Sequence, residues 1–88
     1  MDIEFDPIKA QTNFRKHGIS FSHAEQVFYD PLAITTEDTN AAGEQRFITI
    51  GRDALGQLLV VVYTWHGSRI RLISARKTSK KEMENYYA

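Results

Sequence analysis

The chain contains no cysteine. That excludes a disulfide framework and any thiolate metal site. It also lacks a long apolar run: nothing approaches the roughly 20 apolar residues of a membrane-spanning helix. The opening "MDIEFDP" is acidic with no apolar stretch behind it, unlike a secretory signal. These absences lead to the expectation of a cytoplasmic protein with no membrane attachment. No internal repeat, low-complexity segment or linker divides the sequence, so residues 1–88 read as one domain. There is no glycine-rich phosphate loop, no nucleophile elbow and no pair of histidines or carboxylates at metal-ligand spacing. Spacing therefore points to no metal and no cofactor, and gives little sign of an enzyme.

Net charge is also missing: eleven basic residues balance eleven acidic ones. The balance conceals a division. Residues 1–44 hold three basic residues against eight acidic, and residues 45–88 hold eight against three. Such asymmetry hints at nucleic-acid contact, although pairing between the two halves would explain it equally well. A hydrophobic content of 42% with 11% aromatics argues for a folded chain. At 88 residues its core is small, and domains of this size are often stabilised by a partner.

Turn chemistry and periodicity divide the sequence into elements. Asp6 suits an N-cap, Pro7 the first helical position and Gly18 the left-handed position after the last turn, which predicts a helix over 7–17. Ile8, Ala10 and Phe14 supply its apolar face. Ser22 and Glu25 have capping-box spacing, and Asp30-Pro31 ends the second helix. The run 32–36 reads as a strand, 37–45 as an exposed loop and 46–51 as a strand. The nearly continuous apolar run 58–65 reads as a central strand covered on both faces. His66-Gly67-Ser68 turns the chain into a strand over 69–76. Ser79 and Glu82 repeat the capping-box spacing before a helix near 80–87. The expected fold is α+β, in the order ααββββα, with a helix pair packed on a four-stranded antiparallel sheet and a C-terminal helix.

The strand "RIRLISAR" carries three arginines in eight residues. Simple alternation puts Arg69, Arg71, Ile73 and Ala75 on one face and Ile70, Leu72, Ser74 and Arg76 on the other. Arg46 and Arg52 bracket the 46–51 strand "RFITIG" at its two ends. Several guanidinium groups could thus converge at the sheet rim, each a planar fork of donors suited to phosphate. Tyr63 and Trp65 lie close in sequence, and basic groups interleaved with aromatics suit single-stranded RNA. Tyr63 reads as core before it reads as a stacking platform, and His17 as a helix-end cation.

Three segments together, "FDPIKAQTNFRKHGISFSHAEQVFYDP", "TIGRDALGQLLVVVYT" and "RIRLISARKTSKKEMENY", resemble the BrnT family of type II toxin–antitoxin systems. The ordered set "KHG", "IGR" and "ISAR" carries the likeness, which covers nearly the whole chain. Met83 is a departure, since a basic residue is expected after Glu82. The resemblance implies a RelE-like ribonuclease fold and RNA cleavage that blocks translation and arrests growth. It implies a BrnA-type antitoxin partner, in a complex of two toxins and two antitoxins that contacts DNA through the antitoxin. It places catalytic weight on Arg52 of "IGR" and Arg76 of "ISAR", with Lys9, Trp65 and Arg71 behind them. Arg46, Arg69, Arg71 and Trp65 are the expected RNA contacts.

The chemistry is compatible with that assignment and needs no metal. RNA carries its own nucleophile, the 2′-OH, so cleavage requires a base, an acid for the leaving oxygen and charge stabilisation at phosphorus. Arginine can supply the last, but it is too weak an acid to lose its proton and act as a base. Lys9, His17, His66 and Glu44 are the candidates for proton transfer, and the sequence does not choose among them. Two other readings stand beside this one. The same arginines could serve a non-catalytic RNA- or protein-binding module, or could pair internally with the acidic half of the chain.

Overall fold

The computed structural model describes residues 2–39 and 43–88. Strand β1 (Ile3–Glu4) leads into helix α1 (Pro7–His17). A short helix α2 (Phe21–Ala24) continues as a 3₁₀ segment over Glu25–Tyr29. Strands β2 (Ile34–Asp38), β3 (Arg46–Arg52), β4 (Leu58–His66) and β5 (Arg69–Lys77) follow, and helix α3 (Lys80–Tyr87) closes the chain. Residues 40–42 of the expected 37–45 loop lie outside the described residues.

The sheet has five strands in the order β1-β5-β4-β3-β2. It is mixed, because β1 runs parallel to β5 while the other pairs are antiparallel. This corrects the four-stranded antiparallel expectation. A two-residue strand is too short to show periodicity, and it exists because β5 offers it an edge: Ile70 N–H bonds Asp2 O at 2.9 Å.

The caps of α1 form as the sequence dictates. Asp6 accepts from Ile8 N–H, and Gly18 takes φ +73° to return its N–H to Phe14. Of the expected apolar face only Ala10 packs against the core, while Ile8 is 72% exposed and Phe14 56%. The helix instead runs along β5 and buries Asn13. The Asn13 amide donates to Ala75 O (2.9 Å) and to Ile19 O (3.1 Å), and its oxygen accepts from Ala75 N–H (3.0 Å). One side chain thus occupies the β5 edge where β1 no longer covers it, which answers the exposure problem of a free strand edge. The second helix is capped by Ser20, which accepts from His23 N–H, and not by Ser22. Ser20 as N-cap puts Phe21, Ala24 and Val27 on the buried side, each at most 1% exposed. At α3 the Ser79/Glu82 capping box is fully made.

The core lies between α1–α2 and one sheet face. It joins Ile19, Phe21, Ala24 and Val27 to Leu59, Val61, Tyr63, Ile70, Leu72 and Ala75. Tyr63 belongs to it, its hydroxyl accepting from Thr49 at 3.1 Å. Gly51 lets the 3₁₀ segment approach β3, since a Cβ there would stand 3.0 Å from Val27 O. Leu58 and Val60 face the other way and are also buried, so the start of β4 is buried on both sides.

The expected alternation along β5 fails at one residue. Val62 pairs with Ser74 while Tyr63 pairs with Leu72, leaving Ile73 as a β-bulge. The extra residue reverses the phase of the strand. Ala75 joins Ile70 and Leu72 in the core, and Arg76 moves to the face that carries Arg71.

Candidate functional site

The face away from α1–α2 carries Arg46, Ile48, Ile50 and Arg52 of β3, alternate residues of β4, and Arg71, Ser74 and Arg76 of β5. Its middle, around Ile48, Val62 and Ser74, is half-buried, and α3 covers one end. Charged groups gather at both ends.

At the α3 end, Arg76 binds Glu82 through two parallel hydrogen bonds of 2.8 Å. This fork-to-fork contact, helped by Ser79 N–H, holds the Glu82 carboxyl down at about 2. Arg52 donates to Tyr87 Oη at 2.7 Å, and its guanidinium lies 5.3 Å from the Tyr87 ring centre and 5.8 Å from that of Tyr86. Asp30 accepts from Tyr86 Oη (2.7 Å) and from Arg52 N–H (2.8 Å). Burial pushes the Asp30 carboxyl up, but these donors outweigh it and leave it below its ordinary value. Arg52 and Arg76 therefore both secure α3.

At the other end, β1, the start of α1, the middle of β5 and the segment before β3 enclose a cleft of about 390 Å³ whose charged lining is Glu4, Asp6, Lys9, Glu44 and Arg71. Parallel pairing sets Glu4 against Arg71. Arg71 Nε donates to Glu4 Oε2 at 2.9 Å and Nη2 lies 2.8 Å from the same oxygen. His66 closes the cluster: its Nδ1 lies 3.2 Å and 3.3 Å from the two Glu4 oxygens and 2.9 Å from Arg71 Nη2. The Arg71 hydrogen bond is the main cause that lowers the Glu4 carboxyl below its ordinary value; burial opposes it, and the His66 contact adds to the lowering. Arg46 stands 3.9 Å from Glu44 on the rim.

The seven residues singled out from sequence thus divide. Lys9 and Arg71 share the cleft, with Arg46 beside it through Glu44. Arg52 and Arg76 stand at the α3 end. Arg69 lines a separate shallow depression with Asp2 and Glu25. Trp65, 50% exposed, projects to the face of Tyr63, with the rings edge-to-face at 6.4 Å, and so lies across the sheet from Arg71. Sequence reasoning gave no place to Glu4, because its contact with Arg71 depends on the short parallel strand. It placed His66 in the β4–β5 turn and among the proton-transfer candidates, but missed its neighbours Glu4 and Arg71.

Chemically, the cleft joins two cations that can hold a phosphate, Lys9 and Arg71, with three carboxylates, Glu4, Asp6 and Glu44, and the His66 imidazole touches Glu4 and Arg71 at its edge. Among the described residues no helix is long and apolar enough to cross a membrane. The fold is a small α+β domain on a mixed five-stranded sheet, with a cleft of mixed charge, Lys9 and Arg71 among Glu4, Asp6 and Glu44, at the sheet edge. The family model described as "Ribonuclease toxin, BrnT, of type II toxin-antitoxin system" matches residues 5–82. The crystal structure of the Brucella abortus ribonuclease toxin BrnT, at 1.1 Å resolution, superposes with a TM-score of 0.67 at 29% identity, over 91% of this chain and 99% of that one. A comparison with curated protein sequences returns no match. The chain belongs to the BrnT family of ribonuclease toxins, and as the toxin of a type II system it has an antitoxin as its partner.

Proposed function

We propose that the chain is an endoribonuclease that cleaves RNA without a metal ion, blocks translation and arrests growth in the cytoplasm. A BrnA-type antitoxin neutralises it in a two-plus-two complex that reaches DNA only through the antitoxin. The observation that supports this reading best is the cleft where Lys9 and Arg71 converge beside Glu4.

In this proposal the scissile phosphate enters the cleft and the strand runs along the open face towards Arg76. Arg71 exchanges part of its contact with Glu4 for the phosphate oxygens and stabilises the charge that builds at phosphorus, the task for which fixed cationic donors are suited. Lys9 shares that charge. Arg46 holds a flanking phosphate. Arg52 and Arg76 contribute mainly by keeping α3 in place.

Expression from a tightly controlled promoter tests the proposal. The parent chain should arrest growth and deplete RNA. Arg71→Ala should grow normally and lower RNA cleavage by about a hundredfold or more, the loss seen when a principal charge-stabilising donor is removed. Normal growth of the parent with intact RNA would favour the non-catalytic binding module. Cleavage that stops when divalent ions are chelated would refute metal independence.

A further inference from the structure

Cleavage through the 2′-OH needs a base, and His66 offers an imidazole at the edge of the cleft. Its Nδ1 faces two partners that make opposite demands. Arg71 Nη2, at 2.9 Å, can only donate a hydrogen bond, because a guanidinium keeps its protons. The Glu4 oxygens, at 3.2 and 3.3 Å, can only accept one when ionised. A single ring nitrogen satisfies one of these demands at a time. When Nδ1 accepts from Arg71, the imidazole proton of the neutral ring sits on Nε2, which then cannot take another. When Nδ1 donates to Glu4, Nε2 is bare and basic. The shorter contact in the free protein is the one to Arg71.

We infer that His66 is the general base of RNA cleavage, and that substrate phosphate switches it on by drawing the Arg71 guanidinium away from Nδ1. This rests on the ribonuclease reading and names its missing base. Once Arg71 turns to the phosphate, Nδ1 takes the proton and donates it to Glu4, and Nε2 becomes the acceptor. The His66 side chain is 63% exposed, so the tautomer change can proceed through solvent. The 2′-OH then gives its proton to Nε2 as its oxygen attacks the adjacent phosphorus. The P–O5′ bond breaks, and the Lys9 ammonium protonates the departing 5′ oxygen. The products are a 2′,3′-cyclic phosphate and a 5′-hydroxyl. His66 later returns its proton to water, and Lys9 regains one from water, so charge and atoms balance. Glu4 is a positioning residue, because it acts only through the ring.

The charged groups around the imidazole support this arrangement. Glu4 approaches from β1 and Arg71 from β5. Arg69 is the register partner of His66 on β5. Asp6 before α1, Lys9 from α1 and Glu44 from the segment before β3 complete the charged lining of the cleft that Glu4 and Arg71 share with them. A dyad of imidazole and carboxylate beside a guanidinium places base, orienting group and phosphate clamp within one side chain's reach of each other.

The test uses the full-length chain, the His66→Gln and Glu4→Gln variants, and a mixed-sequence RNA. His66→Gln should lower kcat by about a hundredfold or more with little change in KM. It should also remove the acid limb of the pH profile. Glu4→Gln should lower kcat by a smaller factor and move that limb. The cut ends should be a cyclic phosphate and a 5′-hydroxyl. Independently of turnover, the ¹⁵N spectrum of His66 should report a proton moving from Nε2 to Nδ1 when a fully 2′-O-methylated RNA is added. His66→Gln cutting at the parental rate with the parental pH profile would overturn the base assignment and leave the ribonuclease reading standing. An unchanged tautomer in the presence of that RNA would overturn the switch. A parent chain that cuts no RNA would overturn the ribonuclease reading and the base together.

Discussion

Replacing Glu82 by glutamine tests how α3 is held. The amide keeps the size of the side chain, and its oxygen can still accept from Ser79 N–H in the capping box, a 2.8 Å contact. What is lost is the charge and one arm of the fork to Arg76. A carboxyl lowered from 4.5 to about 2 corresponds to about 3.4 kcal/mol at 1.36 kcal/mol per pH unit. The pair is partly wet, with Arg76 41% and Glu82 24% exposed, and solvent screening brings the measurable effect to about 1–2 kcal/mol. The sign follows from linkage. A carboxyl lowered on folding stabilises the folded state fully above its unfolded value, and loses that contribution as pH falls through the folded one. Urea unfolding of the parent and Glu82→Gln should therefore differ most at neutral pH. The gap should close as pH drops from 4.5 towards about 2. A difference under about 0.3 kcal/mol at neutral pH, or one that ignores pH, would refute the reasoning and mark the fork as an ordinary surface pair.

Two further stability predictions rest on different physics. Asn13→Ala removes three hydrogen bonds and leaves the N–H and C=O of buried Ala75 unpaired. It should cost about 3 kcal/mol and lower the melting temperature by more than about 10 °C in a calorimetric scan. Gly51→Ala puts a methyl group 3.1 Å from Val27 Cβ and 3.3 Å from Ala33 Cβ. Overpacking of about 1–3 kcal/mol should exceed the entropic gain from losing a glycine, so chemical denaturation should show a less stable protein.

The sequence was most informative where a local rule needs no distant partner. Asp6, Pro7 and Gly18 fixed α1, Ser79 and Glu82 fixed α3, and the apolar run in β4 marked the centre of the sheet. It misled where tertiary contacts decide. Ser20 and Ser22 both suit an N-cap, and only the burial of Phe21 and Ala24 selects the first. Nothing local marks the polar Asn13 as buried, because its partner, Ala75, lies 62 positions away. Ile8 and Phe14 looked like a core face, yet α1 meets the sheet at its edge. The candidate site was legible as a set of arginines but not as an arrangement. Its division into a cleft end and an α3 end depends on the pairing of β1 with β5 and on the docking of α3.

The bulge at Ile73 makes β5 a strand with a reading frame. Arg71 and Arg76 are five positions apart, an odd interval that in a regular strand would send them to opposite sides of the sheet. The single surplus residue restores them to one side. Removing one residue between Arg71 and Arg76 would abolish the surplus and keep both arginines together, four apart. Replacing the bulge by regular pairing at the same length would instead drive Arg76 into the layer now filled by Ala75 and Leu72, and lift Ala75 out of it. Strand length and bulge are thus tied. A change in one is tolerated only with a matching change in the other, whereas Gly67-Ser68 at the exposed hairpin tip is free of that constraint.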